Sequence, residues 1–235
     1  MALAAYETLT QALLQAPSSP IPLIATATLD SYINIARNQV AADGECVRYP
    51  AVLGTTASTQ SYYFSQIPVS GLAGVQSVIA VRSAQIGISP VYIISWERFS
   101  RYYLNSGQAG TPLVCAQQGQ GTAGTLFFSP IPTGPFAVVL DTVCLPITLT
   151  TDSTPEAIPL LWTDAVPFYA AWLAMQSLQR QADAQMMLER YTALMRRGRQ
   201  LATSSELPEQ LPGGIGAQLA AAHQSLGAPP PAAPR

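Results

Sequence analysis

Five carboxylates are the residues of this chain that could do chemistry without a histidine: Glu97, Asp141, Asp152, Glu156 and Asp164. Two carboxyl groups facing each other across a bond can hydrolyse a glycoside. Glu97 and Asp141 are the pair from which a carboxylate-dependent hydrolase would have to be built. Arg98 and Arg101 follow Glu97 on a short predicted helix, where a surface ion pair is the ordinary account. Asp152 to Asp164 reads as loop and helix-cap chemistry. The one histidine, His223, lies in the expected tail, and no Ser-His-Asp, Cys-His or His-rich zinc arrangement is expected from one such residue. All eleven basic residues are arginine, so lysine-based Schiff-base and P-loop chemistry are excluded.

Cys46, Cys115 and Cys144 lie far apart and lack a CxxC spacing, so buried free thiols in a reducing setting are expected. Gly119-Gln-Gly-Thr-Ala-Gly124 matches G-x-G-x-x-G by letter. A dinucleotide fingerprint must open a helix, however, and a strand pattern follows here, so a turn is expected. The chain reads as no enzyme, with no cofactor and no metal.

The cations have a pattern of their own. Arg190, Arg196, Arg197 and Arg199 crowd the end of a predicted helix. Cations there stabilise a helix C-terminus by about 0.3–1 kcal/mol each. Repeated around an axis, the same four would form a ring of charge for phosphate or an acidic partner. Both readings stand at this point.

The elements that must position these residues follow from composition and periodicity. Of 235 residues, 49% are hydrophobic and only 10% charged, against about 25% charged in a typical domain. A surface so poor in charge is either covered by neighbours or the product of coding bias. The net charge of −2 argues against a whole surface that grips nucleic acid, though not against a local arginine patch. The apolar run 165–175 is far too short to span a membrane, and the first residues make a poor signal peptide.

Helical spacing is expected from Tyr6 to Gln15, with Leu9, Leu13 and Leu14 on one side. It recurs from Leu29 to Val40, with Leu29, Ile33, Ala36 and Val40 on one face, Thr28 or Asp30 as cap, and Asp43-Gly44 as stop. Strand patterns fill 47–91, and a short helix over 96–104 puts Trp96, Phe99 and Tyr103 on one side. Leu126 to Leu140 predicts a hairpin bracketed by Pro130, Pro132 and Pro135.

A helix from Ala165 to about Gln200, capped by Thr163 or Asp164, would be roughly 50 Å long. Phe168, Trp172, Met175, Met186, Tyr191 and Leu194 would line its core or subunit seam. The predicted organisation is 1–45 as N-terminal helices, 46–164 as a β-rich middle domain, 165–202 as the long helix, and 203–235 as a Pro/Ala/Gly-rich arm.

The order of these pieces resembles the head-to-tail adaptor (head completion, or connector) proteins of tailed bacteriophages. The residues that carry it are Leu29–Val40, Ile94-Ser-Trp-Glu-Arg-Phe99, Gly110-Thr-Pro112, Leu126-Phe-Phe-Ser-Pro-Ile-Pro132, Leu145-Pro-Ile-Thr-Leu149 and Gln181–Tyr191. The resemblance implies an α+β protein whose early helix packs on the long C-terminal helix as a ring wall, with an inserted β-rich domain and an extended C-terminal arm. It implies a homo-oligomeric ring, dodecameric in the family, in the virion neck after assembly in the host cytoplasm. Its partners would be the portal, tail or nozzle proteins, and passing DNA. The resemblance transfers no residue-level contact; from their charge at the helix end and in the arm, Arg190, Arg196, Arg197, Arg199 and Arg235 are the expected portal or DNA contacts. The other readings are a tail-tube or terminator component without portal contact, and a virion-associated hydrolase using Glu97 and Asp141.

Overall fold

A computed structural model of the chain describes residues 2–14, 24–69, 74–119 and 121–203. The expected arm over 203–235, with His223 and Arg235, lies outside them apart from the backbone of Thr203. Residues 1–198 make one compact unit, and 199–235 make a second.

The chain begins with α1 (Leu3–Leu13) and α2 (Thr26–Gly44). α1 buries Leu3, Tyr6 and Thr10; of the expected leucine face Leu14 is buried just beyond the helix and Leu13 is partly buried against the core, while Leu9 is 44% exposed. Tyr6 goes inside because its hydroxyl finds a buried acceptor, donating to Glu156 Oε2 at 3.0 Å. α2 buries Leu29, Ile33, Ala36 and Val40 as predicted, and Arg37 with them.

α2 also starts earlier than expected. Ala25 is the N-cap, so Thr28 and Asp30 fall inside the helix and cap nothing. At its end the left-handed residue is Glu45 (φ 46°), while Gly44 is still helical. Gly44 serves close approach: a Cβ there would sit 3.0 Å from the Trp162 ring.

The strands are β1 (Arg48–Gly54), β2 (Ser61–Tyr63), β3 (Val75–Ile86), β4 (Ser89–Ile93), β5 (Ala109–Gly110), β6 (Val114–Gln118), β7 (Thr125–Ser129), β8 (Ile131–Pro132) and β9 (Ala137–Pro146). α3 (Trp96–Tyr102) stands between β4 and β5. Seven strands form a sheet in the order β1-β9-β3-β4-β6-β7-β2, and β5 pairs β8 separately. All pairs in the large sheet are antiparallel except β4 with β6.

The expected 126–140 hairpin does not form. β9 is central, flanked by β1 and β3, and offers no edge to β7. Pro130, Pro132 and Pro135 have no N–H for a ladder. The segment between them instead runs beside residues 55–60: Ser58 N donates to Pro132 O (2.8 Å) and Phe136 N to Thr55 Oγ1 (2.8 Å).

The sheet curls, and the chain requires it. β1 and β2 are the two edges, yet only residues 55–60 join them. Such a link spans at most about 25 Å. Seven flat strands would put the edges about 29 Å apart. The curled sheet turns Ala51, Leu53, Ala84, Val91, Cys115, Leu126, Phe128, Val138 and Leu140 into one core, continuous with the helices.

α4 (Leu160–Thr163), α5 (Ala165–Ser177) and α6 (Gln181–Thr203) complete the described chain. α5 packs against α1 and α2 through Ala165, Ala170, Ala171 and Ala174, small residues that allow close approach. Asp164 occupies the N-cap position of α5 but its side chain makes no capping bond, and Thr163 Oγ1 donates to Leu160 O instead.

The expected 50 Å helix is broken. Leu178-Gln-Arg180 forms a reversing cap in which Arg180 N donates to Met175 O (2.9 Å) and Gln179 N to Gln176 O (3.0 Å), with Gln179 at φ 58°. The break was hidden because a left-handed glutamine stands where glycine would advertise a stop. Arg180 stabilises it, donating from Nε to Asp183 Oδ2 (2.7 Å) and from a terminal nitrogen to Leu14 O (3.3 Å).

α6 buries Ala184, Tyr191, Met195 and Gly198, with Leu188 partly buried: a narrow 4-3-4-3 stripe. Of the expected lining residues Met175 and Tyr191 are buried, Phe168, Trp172 and Leu194 are half-buried, and Met186 is exposed.

Candidate functional site

The five candidate carboxylates are distributed among different tasks. Glu156 lies at the centre of the helical layer. Arg37 embraces it side-on, Nε to Oε2 at 3.0 Å and a terminal nitrogen to Oε1 at 2.7 Å, with both side chains buried. Arg37 also donates to Asn34 Oδ1 (3.1 Å) and Ile147 O (2.7 Å). Tyr6 OH and Ile158 N complete the shell of Glu156. Asn34 closes the network by donating to Leu149 O and accepting from Leu149 N.

A buried pair survives only when its remaining donors and acceptors are satisfied, as here. Burial works to raise the Glu156 carboxyl, but the Arg37 hydrogen bonds outweigh it and hold the group below the usual carboxylate range. The same burial, with Glu156 alongside, raises the Tyr6 phenol.

Asp152 accepts Ala4 N at 2.8 Å, satisfying a donor that the start of α1 leaves unpaired. Asp141, on β9, pairs with Arg48 on β1. Glu97 is exposed on α3, which packs against β6, three steps along the sheet from β9. Glu97 and Asp141 are therefore not brought together by the fold. Among the described residues no group of three or more His, Cys, Asp or Glu could hold a metal ion. Cys46, Cys115 and Cys144 are free, and burial pushes the Cys46 and Cys115 thiols up to about 12.

The arginines fall into two groups. Arg37, Arg48, Arg82 and Arg180 pair with Glu156, Asp141, Glu45 and Asp183. Arg98, Arg101, Arg190, Arg196 and Arg197 are exposed and make no ion pair among the described residues. The expected pairing of Glu97 with Arg98 or Arg101 is not made. Arg190 and Arg197, seven apart on α6, share a face, and Arg196 is turned about 100° from Arg197. The three arginines of the first unit are thus not gathered on one face of the helix. Arg199 is exposed and begins the second unit.

The second concentration of unpaired cations was missed in the sequence. Ser95, Glu97, Arg98, Arg101, Tyr102 and Tyr103 line an open cleft along α3. The other side of α3 packs inward: Phe99 is fully buried, and Trp96 stacks on Phe99 (5.9 Å between ring centres) and meets Phe127 of β7 at 4.8 Å. The Ser95 hydroxyl accepts Arg98 N at 3.4 Å to start the helix. Arg98, Arg101 and Tyr102 follow at i, i+3 and i+4, the spacing that would have revealed a shared face.

A scan of protein-family models finds no match to this chain, and neither does a search of curated proteins. The geometry and the sequence resemblance carry the functional reading.

Proposed function

We propose that this chain is a structural virion protein whose copies form a ring between the portal of a tailed-phage capsid and the tail, continuing the DNA channel. Helices would form the ring wall, with the curled sheet on one side of it. The supporting observation is the character of the surface. Ile88, at the tip of the β3–β4 turn, is fully exposed (101%), Leu160 on α4 is 81% exposed, and Tyr92, Leu113 and Met186 stand out on three further segments. Charged side chains make up only 10% of the residues, so few charges share the surface with these apolar groups.

Interface cores are depleted of Lys, Glu and Asp. A copy in a closed ring meets one neighbour on each side and axial partners above and below. Apolar side chains on several separate elements suit that arrangement. Each square ångström of apolar surface buried there is worth roughly 25 cal/mol. The low monomer charge keeps repulsion small between many close copies.

Light-scattering mass tests the reading. A monomer weighs 24.9 kDa, so twelve copies weigh about 300 kDa (12 × 24.9). A closed ring that co-sediments with portal supports the adaptor. A ring that ignores portal points to a tube terminator. A protein that stays at monomer mass at high concentration, with or without portal, refutes the proposal.

A further inference from the structure

We infer that the α3 cleft is a contact for the phosphate backbone of duplex DNA, with Arg98, Arg101 and Tyr102 as its donors. The choice of DNA as the polyanion rests on the channel reading above; the cleft's chemistry does not.

Four arginines are neutralised by carboxylates that hold the fold together. Arg98 and Arg101 lie one helical turn apart with no counter-ion among the described residues, and Tyr102 beside them is 63% exposed. With Glu97 at the rim, the cleft keeps a net positive charge that suits an external anion. Guanidinium groups meet phosphate oxygens with two parallel N–H bonds, and a phenol donates a third.

The opposite side of α3 is fixed by Phe99, Trp96 and Phe127, so the donors project from a rigid base. One row of side chains on a seven-residue helix laid along a sheet does not enter a groove. Such contacts position DNA without reading its sequence. Glu97, at the rim of the same cleft, repels phosphate and keeps the grip weak enough for DNA to move past.

The test is fluorescence anisotropy of a labelled random-sequence duplex with the full chain, across a salt series. Each phosphate contact contributes about 0.9 to the slope of log K against log salt. The double variant Arg98→Gln/Arg101→Gln should lose about 1.8 from that slope. Between 50 and 200 mM salt this removes about a twelvefold part of the affinity change (4 raised to 1.8). Arg98→Lys/Arg101→Lys should restore most of the slope, and Glu97→Gln should tighten binding.

Near-UV circular dichroism of the aromatic cluster checks that each variant is folded. An unchanged slope in the folded double glutamine variant overturns the inference. So does loss of binding only in Arg190→Gln/Arg197→Gln, or no duplex binding by the wild type at 50 mM salt. Particle mass, measured on the same samples, reports the ring separately.

Discussion

Gly198 of α6 stands against the indole of Trp162 so closely that a Cβ on it would lie 2.7 Å from the ring. A Cβ on Gly44, at the end of α2, would lie 3.0 Å from the same ring. The buried Trp162 ring is thus closely approached by two glycines from helices far apart in sequence, and Tyr191 OH donates to Asp43 Oδ2 (2.6 Å) to draw the same two helices together.

Gly198→Ala should therefore destabilise the protein. Helix propensity alone favours alanine by about 1 kcal/mol. Overpacking against a rigid ring costs about 1–3 kcal/mol, and it wins because the indole has nowhere to go. Urea unfolding should show a lower midpoint for Gly198→Ala, and adding Trp162→Leu should recover part of the loss. A more stable Gly198→Ala would show that the ring yields easily.

Glu156→Gln should cost about 3–5 kcal/mol, because it leaves the Arg37 guanidinium buried without a counter-charge. Replacing both partners, as Arg37→Met/Glu156→Leu, should cost less than either single change. Chemical denaturation of the three variants measures this. A loss under about 1 kcal/mol for Glu156→Gln would mean that water reaches Arg37.

Two carboxylates give stability opposite pH dependences. Asp30 Oδ1 is buried without a donor, and the Glu7 carboxyl faces it from α1. A hydrogen bond with the Asp30 side chain, then burial and the charges of Asp30 and Asp152, raises the Glu7 carboxyl above its ordinary value. A raised folded value gives a contribution that is complete below the unfolded value of about 4.3 and is lost as pH rises through the folded one. Glu156 is lowered, so its contribution is present above about 4.3 and is lost as pH falls through its folded value. Melting temperature against pH should fall on both sides. Glu7→Gln should flatten only the upper side, and an unaltered upper side would remove Glu7 from the account.

Gln179→Gly should raise stability by about 0.5–1 kcal/mol, since glycine adopts the left-handed turn at φ 58° without a clashing Cβ. Thermal unfolding measures it. A destabilised variant would mean that the glutamine side chain contributes more than its backbone conformation costs.

The mixed α+β class, the buried face of α2 and the stretch that became α3 were legible in the sequence, because each rests on local periodicity. What was not legible depended on distant partners. Tyr6 displaced Leu9 from the core through a hydroxyl whose acceptor lies 150 residues away. Glu156 read as loop chemistry because nothing local marks Arg37 as its partner. β7 and β9 looked like a hairpin by proximity, yet β9 is taken by β1 and β3. The cleft on α3 was overlooked because Glu97 seemed to neutralise its neighbours, and the fold leaves that pair unmade.

β1 finds its partner in β9, with Arg48 meeting Asp141 from 93 positions away, and the Arg37–Glu156 pair spans 119. A chain emerging from the ribosome must thus hold α2 and β1 unfinished until roughly two thirds of its length has been made. Such non-local closure is slow. In the interval the apolar side of α2 is open to any other nascent copy, so closely spaced ribosomes on one message are where this chain is most exposed to misassembly.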